Sequence, residues 1–300
     1  MSAGVRRRFR TAESADGTVL HVEVHGPENA PAVVLSHGWT CSTRFWSAQI
    51  AALSADHRVI CYDQRGHGRT PMGRVGTRFL ADDLEAVLRA TLAPGERAVV
   101  AGHSMGAMTI MAAAGRPAFA ARTAAVLLAS TGYADLVEES TVVPGAARGP
   151  LRARITRAVL RSGAPLGPVN PLARRLLRYA ALSPAASAAQ VAECARIVHA
   201  CPRIVRACWG QVLDTLDLTA NVAELTVPAV VLAGTADRLS PPVHAYRLAS
   251  RLPDCRDLVL LPGAGHMTPV ETPDAVTEQL RTLVRTFLGP GDRDRAPLPG

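Results

Sequence analysis

The sequence contains no lysine: all 33 of its basic residues are arginine. Either side chain can build a basic surface, so the exclusive use of arginine in a chain of net charge +8 reads as a coding bias rather than a function. Aromatic residues make up only 4% of the chain. A protein that binds nucleic acid usually interleaves aromatics with its basic residues, and their scarcity sets that partner class aside. There is no C-x-x-C pair and no Cys/His cluster at zinc spacing. The six cysteines (Cys41, Cys61, Cys194, Cys201, Cys208, Cys255) are scattered, as small buried packing residues are. Cys194, Cys201 and Cys208 fall seven apart, but Pro202 interrupts any helix that would align them. This usage suits a reducing, cytoplasmic setting rather than a disulfide framework. Long apolar runs are also missing. The longest uncharged stretch is the 18 residues Ala98 to Gly115, with Gly102, His103, Ser104 and Gly106 in its middle, which suits a bilayer poorly. Arg6-Arg7-Arg8-Phe9 superficially resembles a twin-arginine export signal, but the polar, acidic stretch Thr11 to Gly17 follows it, so export is rejected.

What is present is a chain of 300 residues that is 48% apolar, too long for a minimal module and too apolar for a disordered one. Short apolar runs alternate with amphipathic stretches. Val19 to Val24 reads as a strand, expected at an antiparallel edge. Ala32 to Leu35, Arg58 to Tyr62, Ala98 to Ala101, Ala124 to Ala129, Val227 to Ala233 and Leu258 to Leu261 read as buried strands. Thr77 to Leu92, Met105 to Ala114 and Pro273 to Phe287 read as helices. The pattern predicts an α/β fold, a parallel sheet covered on both faces. The core comprises 1–133 and 225–288. Residues 134–224 carry helical patches without a convincing strand and read as a helical insertion over one end of the sheet. Residues 289–300 read as a disordered tail. Thr141 to Ala192 holds eight arginines and no acid. Within it Leu151, Ile155 and Val159 share one helical face. That face is expected to point inward beneath a solvated basic surface; the sharper alternative is contact with anionic lipid or an acidic partner.

The strongest chemical signal is Gly102-His103-Ser104-Met105-Gly106. It follows a strand and opens a helix, so the serine sits on a sharp, strained turn that lifts its hydroxyl above the sheet edge. A serine hydroxyl needs a base. His266, on the loop Pro262-Gly263-Ala264-Gly265-His266 after the last strand, is the candidate. Asp237, in Gly234-Thr235-Ala236-Asp237 after the preceding strand, is the candidate orienting acid, although it could simply cap the helix before Pro241; Asp135 is the alternative acid. His37-Gly38-Trp39-Thr40 follows the strand Ala32 to Leu35. There the Trp39 amide, with that of Met105 at the helix start, would form an oxyanion hole. His37 reads as a brace for this loop rather than a second base.

Taken together, these features resemble the α/β-hydrolase fold family over about residues 5 to 288. The order Ser104, Asp237, His266 is the family's order. Asp63-Gln64-Arg65-Gly66-His67-Gly68-Arg69-Thr70 resembles its D-x-R-G-x-G-x-S loop, which the resemblance makes structural, without a catalytic role for His67. The resemblance implies a mostly parallel eight-stranded sheet flanked by helices, with a helical cap insertion. Two departures stand out. Many relatives carry proline where this chain has Thr40, often with a cis bond that sets the loop. Related dehalogenases and epoxide hydrolases use aspartate where this chain has Ser104.

The expected activity is therefore hydrolysis of carboxylic esters or thioesters, lipid-derived ones among them, through an acyl-enzyme on Ser104, with no metal or cofactor required. Trp39, Met105 and Trp209 are candidates to bound an apolar acyl pocket under the cap. An ordinary imidazole titrates at about 6.5, so activity is expected to fall below neutral pH. Three other readings share the fold. A cofactor-free perhydrolase or haloperoxidase would brominate with peroxide, a carbon–carbon bond hydrolase would turn over vinylogous diketones, and a non-catalytic small-ligand receptor would show no turnover. Acyl length and oligomeric state are not encoded in any feature above.

Overall fold

A computed structural model of the chain describes residues 7–143 and 149–289. The first residues of the arginine cluster and the tail from 290 onward lie outside these. Eight strands form one sheet: β1 (Arg8–Glu13), β2 (Val19–His25), β3 (Ala32–Ser36), β4 (Arg58–Tyr62), β5 (Ala98–His103), β6 (Thr123–Ala129), β7 (Ala229–Gly234) and β8 (Cys255–Leu261), in the order β1-β2-β4-β3-β5-β6-β7-β8. From β4 to β8 every pairing is parallel, whereas β2 runs antiparallel to both β1 and β4. The Val19 strand is thus antiparallel as expected but is not the edge. The edge is β1, whose sequence Arg-Phe-Arg-Thr-Ala-Glu carries too few apolar residues to announce a strand.

Strict alternation along the central strands divides the core in two. Val34, Ile60 and Val100 point to one face, with the helices Thr77–Thr91 and Met105–Ala112; Val33, Val59 and Val99 point to the other, with the helices Ser47–Leu53 and Pro273–Phe287. Both faces are covered, which is why β3 to β7 are buried throughout. After β3 the chain turns one way to β4 and then returns past β3 to β5. The carboxyl ends of β3 and β5 are therefore the point at which the winding reverses.

Between β6 and β7 the described residues form helices and loops with no strand, as the sequence pattern predicts. Helix Ala188–Ala200 ends before Pro202 and Arg203–Asp214 begins after it, so the seven-residue cysteine spacing is broken where expected. All six cysteines are free. One expectation fails. The Leu151–Ile155–Val159 stripe of helix Pro150–Leu160 faces outward, with Leu151 64% exposed. The arginine side turns inward instead: Arg152 is buried and donates to the Glu138 carbonyl, and Arg157 pairs with Asp214 at 2.7 Å. That side also meets helix Arg203–Asp214 closely, because a Cβ on Gly210 would lie 1.9 Å from the Leu160 carbonyl oxygen.

The Asp63–Thr70 loop is held by buried charge. Arg65 is fully buried, donates from Nε to Asp83 at 2.7 Å, and reaches Asp16 at 2.9 Å and the Arg74 carbonyl at 2.7 Å. It thereby ties the loop to helix Thr77–Thr91 and to the β1–β2 turn. Asp63 accepts from the Thr43 amide at 2.8 Å and the Arg69 amide at 2.9 Å, and its carboxylate fills the space a side chain on Gly68 would need. Removing one partner of such a buried pair leaves an uncompensated charge. Arg65→Gln is expected to destabilise the fold by about 3–5 kcal/mol in urea unfolding, and a loss below about 1 kcal/mol would show that Asp83 needs no partner.

Candidate active site

Ser104 stands between β5 and helix Met105–Ala112 with φ 53° and ψ −118°. A non-glycine residue holds this backbone only where its surroundings enforce it. Here the enforcement is visible on both sides. A Cβ on Gly106 would lie 2.1 Å from the Ser36 carbonyl oxygen, and one on Gly102 would lie 2.4 Å from the Ala107 nitrogen. Only glycines let the helix start press onto the end of β3. The Ser104 amide itself donates to the Ala129 carbonyl at 2.9 Å, which pins the turn to β6.

The loop after β3 closes on the same point. A Cβ on Gly38 would lie 3.2 Å from the Ser104 Cβ. Within the described residues neither the Trp39 nor the Met105 amide donates a hydrogen bond. His37 braces the loop as expected. It is buried, pairs Nδ1 with the Gly38 carbonyl at 2.8 Å, and accepts the Gln64 amide on Nε2 at 3.0 Å. His67 does likewise: its Nε2 accepts the Thr40 amide at 3.2 Å and its Nδ1 meets the Arg65 carbonyl at 3.2 Å. Both imidazoles are therefore neutral braces. Burial depresses His37 to about 4 and His67 to about 3.

Thr40 accounts for the missing proline. Its φ is 64°, and the described residues contain no cis peptide bond. Proline cannot reach a positive φ and has no amide for His67. This loop is set by a left-handed residue with a donated N–H.

His266 and Asp237 meet. The His266 Nδ1 lies 2.8 Å from Asp237 Oδ2, with Asp237 wholly buried and His266 nearly so. Asp237 also does what a cap would do, because its Oδ1 accepts the Leu239 amide at 2.8 Å and the Ser240 amide at 3.0 Å. The turn holds one oxygen and leaves the other for the imidazole. With Nδ1 donating to the carboxylate, Nε2 is the nitrogen left to act as a base. No hydrogen bond joins Ser104 Oγ to His266 Nε2 in this structure. Asp135, the alternative acid, is an exposed residue near Arg247 and has no contact with His266. Trp209 is fully buried, with its indole N–H on the Arg65 carbonyl at 3.1 Å, so it fastens the insertion to the core. The Trp39 indole does the same from the other side, donating to the Arg206 carbonyl at 3.1 Å.

Three positioning residues escaped sequence reasoning. His103, beside the serine, bonds through Nε2 to the His266 carbonyl at 2.8 Å and meets the His266 ring edge-on at 4.9 Å. Ser240 donates to Asp237 Oδ2 at 2.9 Å and lies 3.2 Å from His266 Nδ1. Glu271 accepts the amides of Ser183, Gly265 and Met267, clamping the His266 loop to the insertion. The serine three residues after Asp237 was a readable turn signal. The roles of His103 and Glu271 exist only in three dimensions.

Two outcomes test this geometry. Thr40→Pro is expected to cost about 3 kcal/mol or more of stability, whereas Thr40→Gly retains the fold. Equal melting temperatures for the two variants would contradict the reading of Thr40. The second outcome concerns acid. His37, His67, His103 and His244 all have depressed pKa values, with burial the leading cause. The unfolded chain therefore takes up protons below about 6.5 before the folded chain does, and stability present above that pH is lost as pH falls toward the folded values. The slope of unfolding free energy between pH 6.5 and 5 is expected to exceed one proton's worth, about 1.4 kcal/mol per pH unit. A flat profile there would mean that these histidines are not buried neutral.

Comparison with known proteins agrees with the architecture. The family model described as "Alpha/beta hydrolase family" matches residues 33–279. A protein of Variovorax paradoxus (strain S110) assigned as the carbamate hydrolase RutD is 32% identical over 279 residues, covering 91% of this chain and 98% of that one. Among solved structures, the enol-lactonase of Burkholderia xenovorans LB400 superposes with a TM-score of 0.71 at 26% identity, over 92% of this chain and 99% of that one. A thermophilic esterase from Thermogutta terrifontis superposes with a TM-score of 0.73 at 22% identity, over 93% and 99%, a likeness of fold. With the family match running across most of the chain, and the strained serine turn lying where the sheet reverses its winding, this protein belongs to the alpha/beta hydrolase family.

Proposed function

We propose that the protein is a serine hydrolase that cleaves carboxylic esters or thioesters through an acyl-enzyme intermediate. The observation that carries the proposal is the buried Asp237–His266 couple at 2.8 Å, held by His103 against the turn that bears Ser104. Ser104 Oγ attacks the acyl carbon as its proton passes to His266 Nε2. Asp237 holds the tautomer and stabilises the imidazolium. The Trp39 and Met105 amides receive the negative charge that develops on the carbonyl oxygen, each worth roughly 2.7–4 kcal/mol in the transition state. His266 then gives its proton to the leaving oxygen or sulfur, which departs. A water molecule deprotonated by the same imidazole attacks the acyl-serine and frees the acid. These steps call on the chain's own residues and water.

The described residues of the 134–224 insertion act as a cap over the carboxyl ends of the strands. Trp39 and Trp209 tether helix Arg203–Asp214 to the core, and the His266 amide donates to the Ala181 carbonyl at 3.0 Å, so the insertion touches the site from both sides. A cap so placed bounds the acyl side of the substrate. A second reading, carbamate cleavage, is favoured by the similarity to the assigned carbamate hydrolase along 98% of its length. The two readings share the same attack on a carbonyl carbon and differ in what that carbon carries, a carbon substituent in an ester or thioester and a nitrogen in a carbamate.

The test is a panel of esters, thioesters and carbamates of graded acyl length, run on the wild type and on Ser104→Ala and His266→Ala. Turnover of one class with a loss of about 10⁴–10⁶ in kcat for either variant is expected. Wild-type turnover that persists in Ser104→Ala, or inertness toward all three classes, would overturn the assignment. Ser240→Ala keeps the Asp237–His266 bond but removes a donor to Asp237. It is expected to lower kcat severalfold with KM unchanged, and an unchanged kcat would show that Ser240 only shapes the turn.

A further inference from the structure

The outward-facing stripe of helix Pro150–Leu160 is part of a larger feature. Of the thirteen large apolar side chains exposed among the described residues, eight fall between residues 151 and 179. On helix Pro150–Leu160 they are Leu151, Ile155 and Val159; on helix Pro171–Ala181 they are Leu172, Leu176 and Tyr179, spaced i, i+4, i+7 on one face. The loop between the helices adds Leu166 and Val169. Scattered exposed apolar residues need no explanation, but a concentration on one stretch of chain does.

The charge on the same stretch says what covers it. Between Thr141 and Ala192 there is no acidic residue. Arg154, Arg174 and Arg175 are exposed and make no ion pair or hydrogen bond among the described residues, whereas Arg152 and Arg157 turn inward to carbonyl and carboxylate partners. Arg154 lies beside Leu151 and Ile155 on its helix, and Arg175 lies beside Leu172 and Leu176. A second copy of the chain seated on this face would bring arginines against arginines. A surface that is apolar within and anionic at its boundary complements it.

We infer that the segment 150–181 is a membrane-docking surface: it lies in the interface of an anionic phospholipid bilayer, with its leucines at acyl-chain depth and Arg154 and Arg175, which flank them, against lipid phosphates. No helix of the described residues is long and apolar enough to cross a membrane, so the contact is peripheral. The docked segment leads directly to the site. It ends at Ala181, whose carbonyl accepts the His266 amide, and a Cβ on Gly265 would lie 2.5 Å from the Leu182 carbonyl carbon. The inference rests on this surface alone and does not depend on the chemistry proposed for Ser104.

Co-sedimentation of the full chain with vesicles tests it, with no readout of turnover. Vesicles of phosphatidylcholine mixed with phosphatidylglycerol are expected to pellet the protein at low salt, and vesicles of phosphatidylcholine alone are not. Added salt is expected to release the bound fraction partly, because the leucine contacts persist when charges are screened. Arg154→Gln with Arg175→Gln is expected to weaken partitioning about fivefold for each arginine removed. Leu172→Ser with Leu176→Ser is expected to abolish it. All four side chains are exposed, and melting curves establish that the variants fold. No pelleting by the mixed vesicles would overturn the inference, and this wild-type result stands even if a variant misfolds. Two other results would also overturn it: equal binding by both variants and wild type, or lipid-free self-association that the leucine changes abolish, which would mean the face is covered by a second copy.

Discussion

Everything at the site depends on one close approach, the helix start at Gly106 pressed against the last carbonyls of β3. A Cβ there would come within 2.1 Å of the Ser36 oxygen and 2.8 Å of the His37 oxygen. That contact forces Ser104 into the left-handed region and sets the β3 loop beside it. Without it the Trp39 and Met105 amides would belong to separate loops. The sheet makes the approach possible because β3 and β5 are neighbours whose connections leave in opposite directions. The strain is local, and the buried core on both faces of the sheet holds it.

Around this contact the chain uses buried neutral histidines as rigid spacers. His37 and His67 each take one amide and give one N–H to a carbonyl, so the loop after β3 is held by rings that burial keeps uncharged. His103 extends the same device to His266, bonding its carbonyl while packing against its ring. The arrangement fixes positions without placing extra charge near Ser104 and His266. It also makes acid the condition under which the site is first disturbed. The insertion shares in this order, since Glu271 clamps the His266 loop to residue 183 and Trp39 is anchored on the Arg206 carbonyl.

Much of this was legible in the sequence because the signals were local. Seven strands and the helices Thr77–Thr91 and Pro273–Phe287 were marked by periodicity, and the serine turn by its glycines. The pairing of Asp237 with His266 could be read from their places after successive strands. What escaped was set by partners distant in the chain. β1 is a strand because β2 supplies its ladder, although its own residues are polar. Helical spacing correctly grouped Leu151, Ile155 and Val159, but grouping does not say which side faces in. Asp214 and the Glu138 carbonyl decided that by drawing the arginines inward. The sequence showed that Thr40 stands where many relatives carry proline, but not what sets the loop in its place. The positive φ and the amide bond to His67 replace what proline would have set.

The central claim, that Ser104, His266 and two backbone amides act on one carbonyl, is tested most directly by the crystal structure of the enzyme inhibited with a fluorophosphonate. The account predicts phosphonylation at Ser104 Oγ, with His266 Nε2 within hydrogen-bond reach of it. It also predicts the phosphoryl oxygen about 2.7–3.1 Å from both the Trp39 and Met105 nitrogens. Modification of another residue, or an adduct whose oxygen points away from those amides with His266 out of reach, would contradict it.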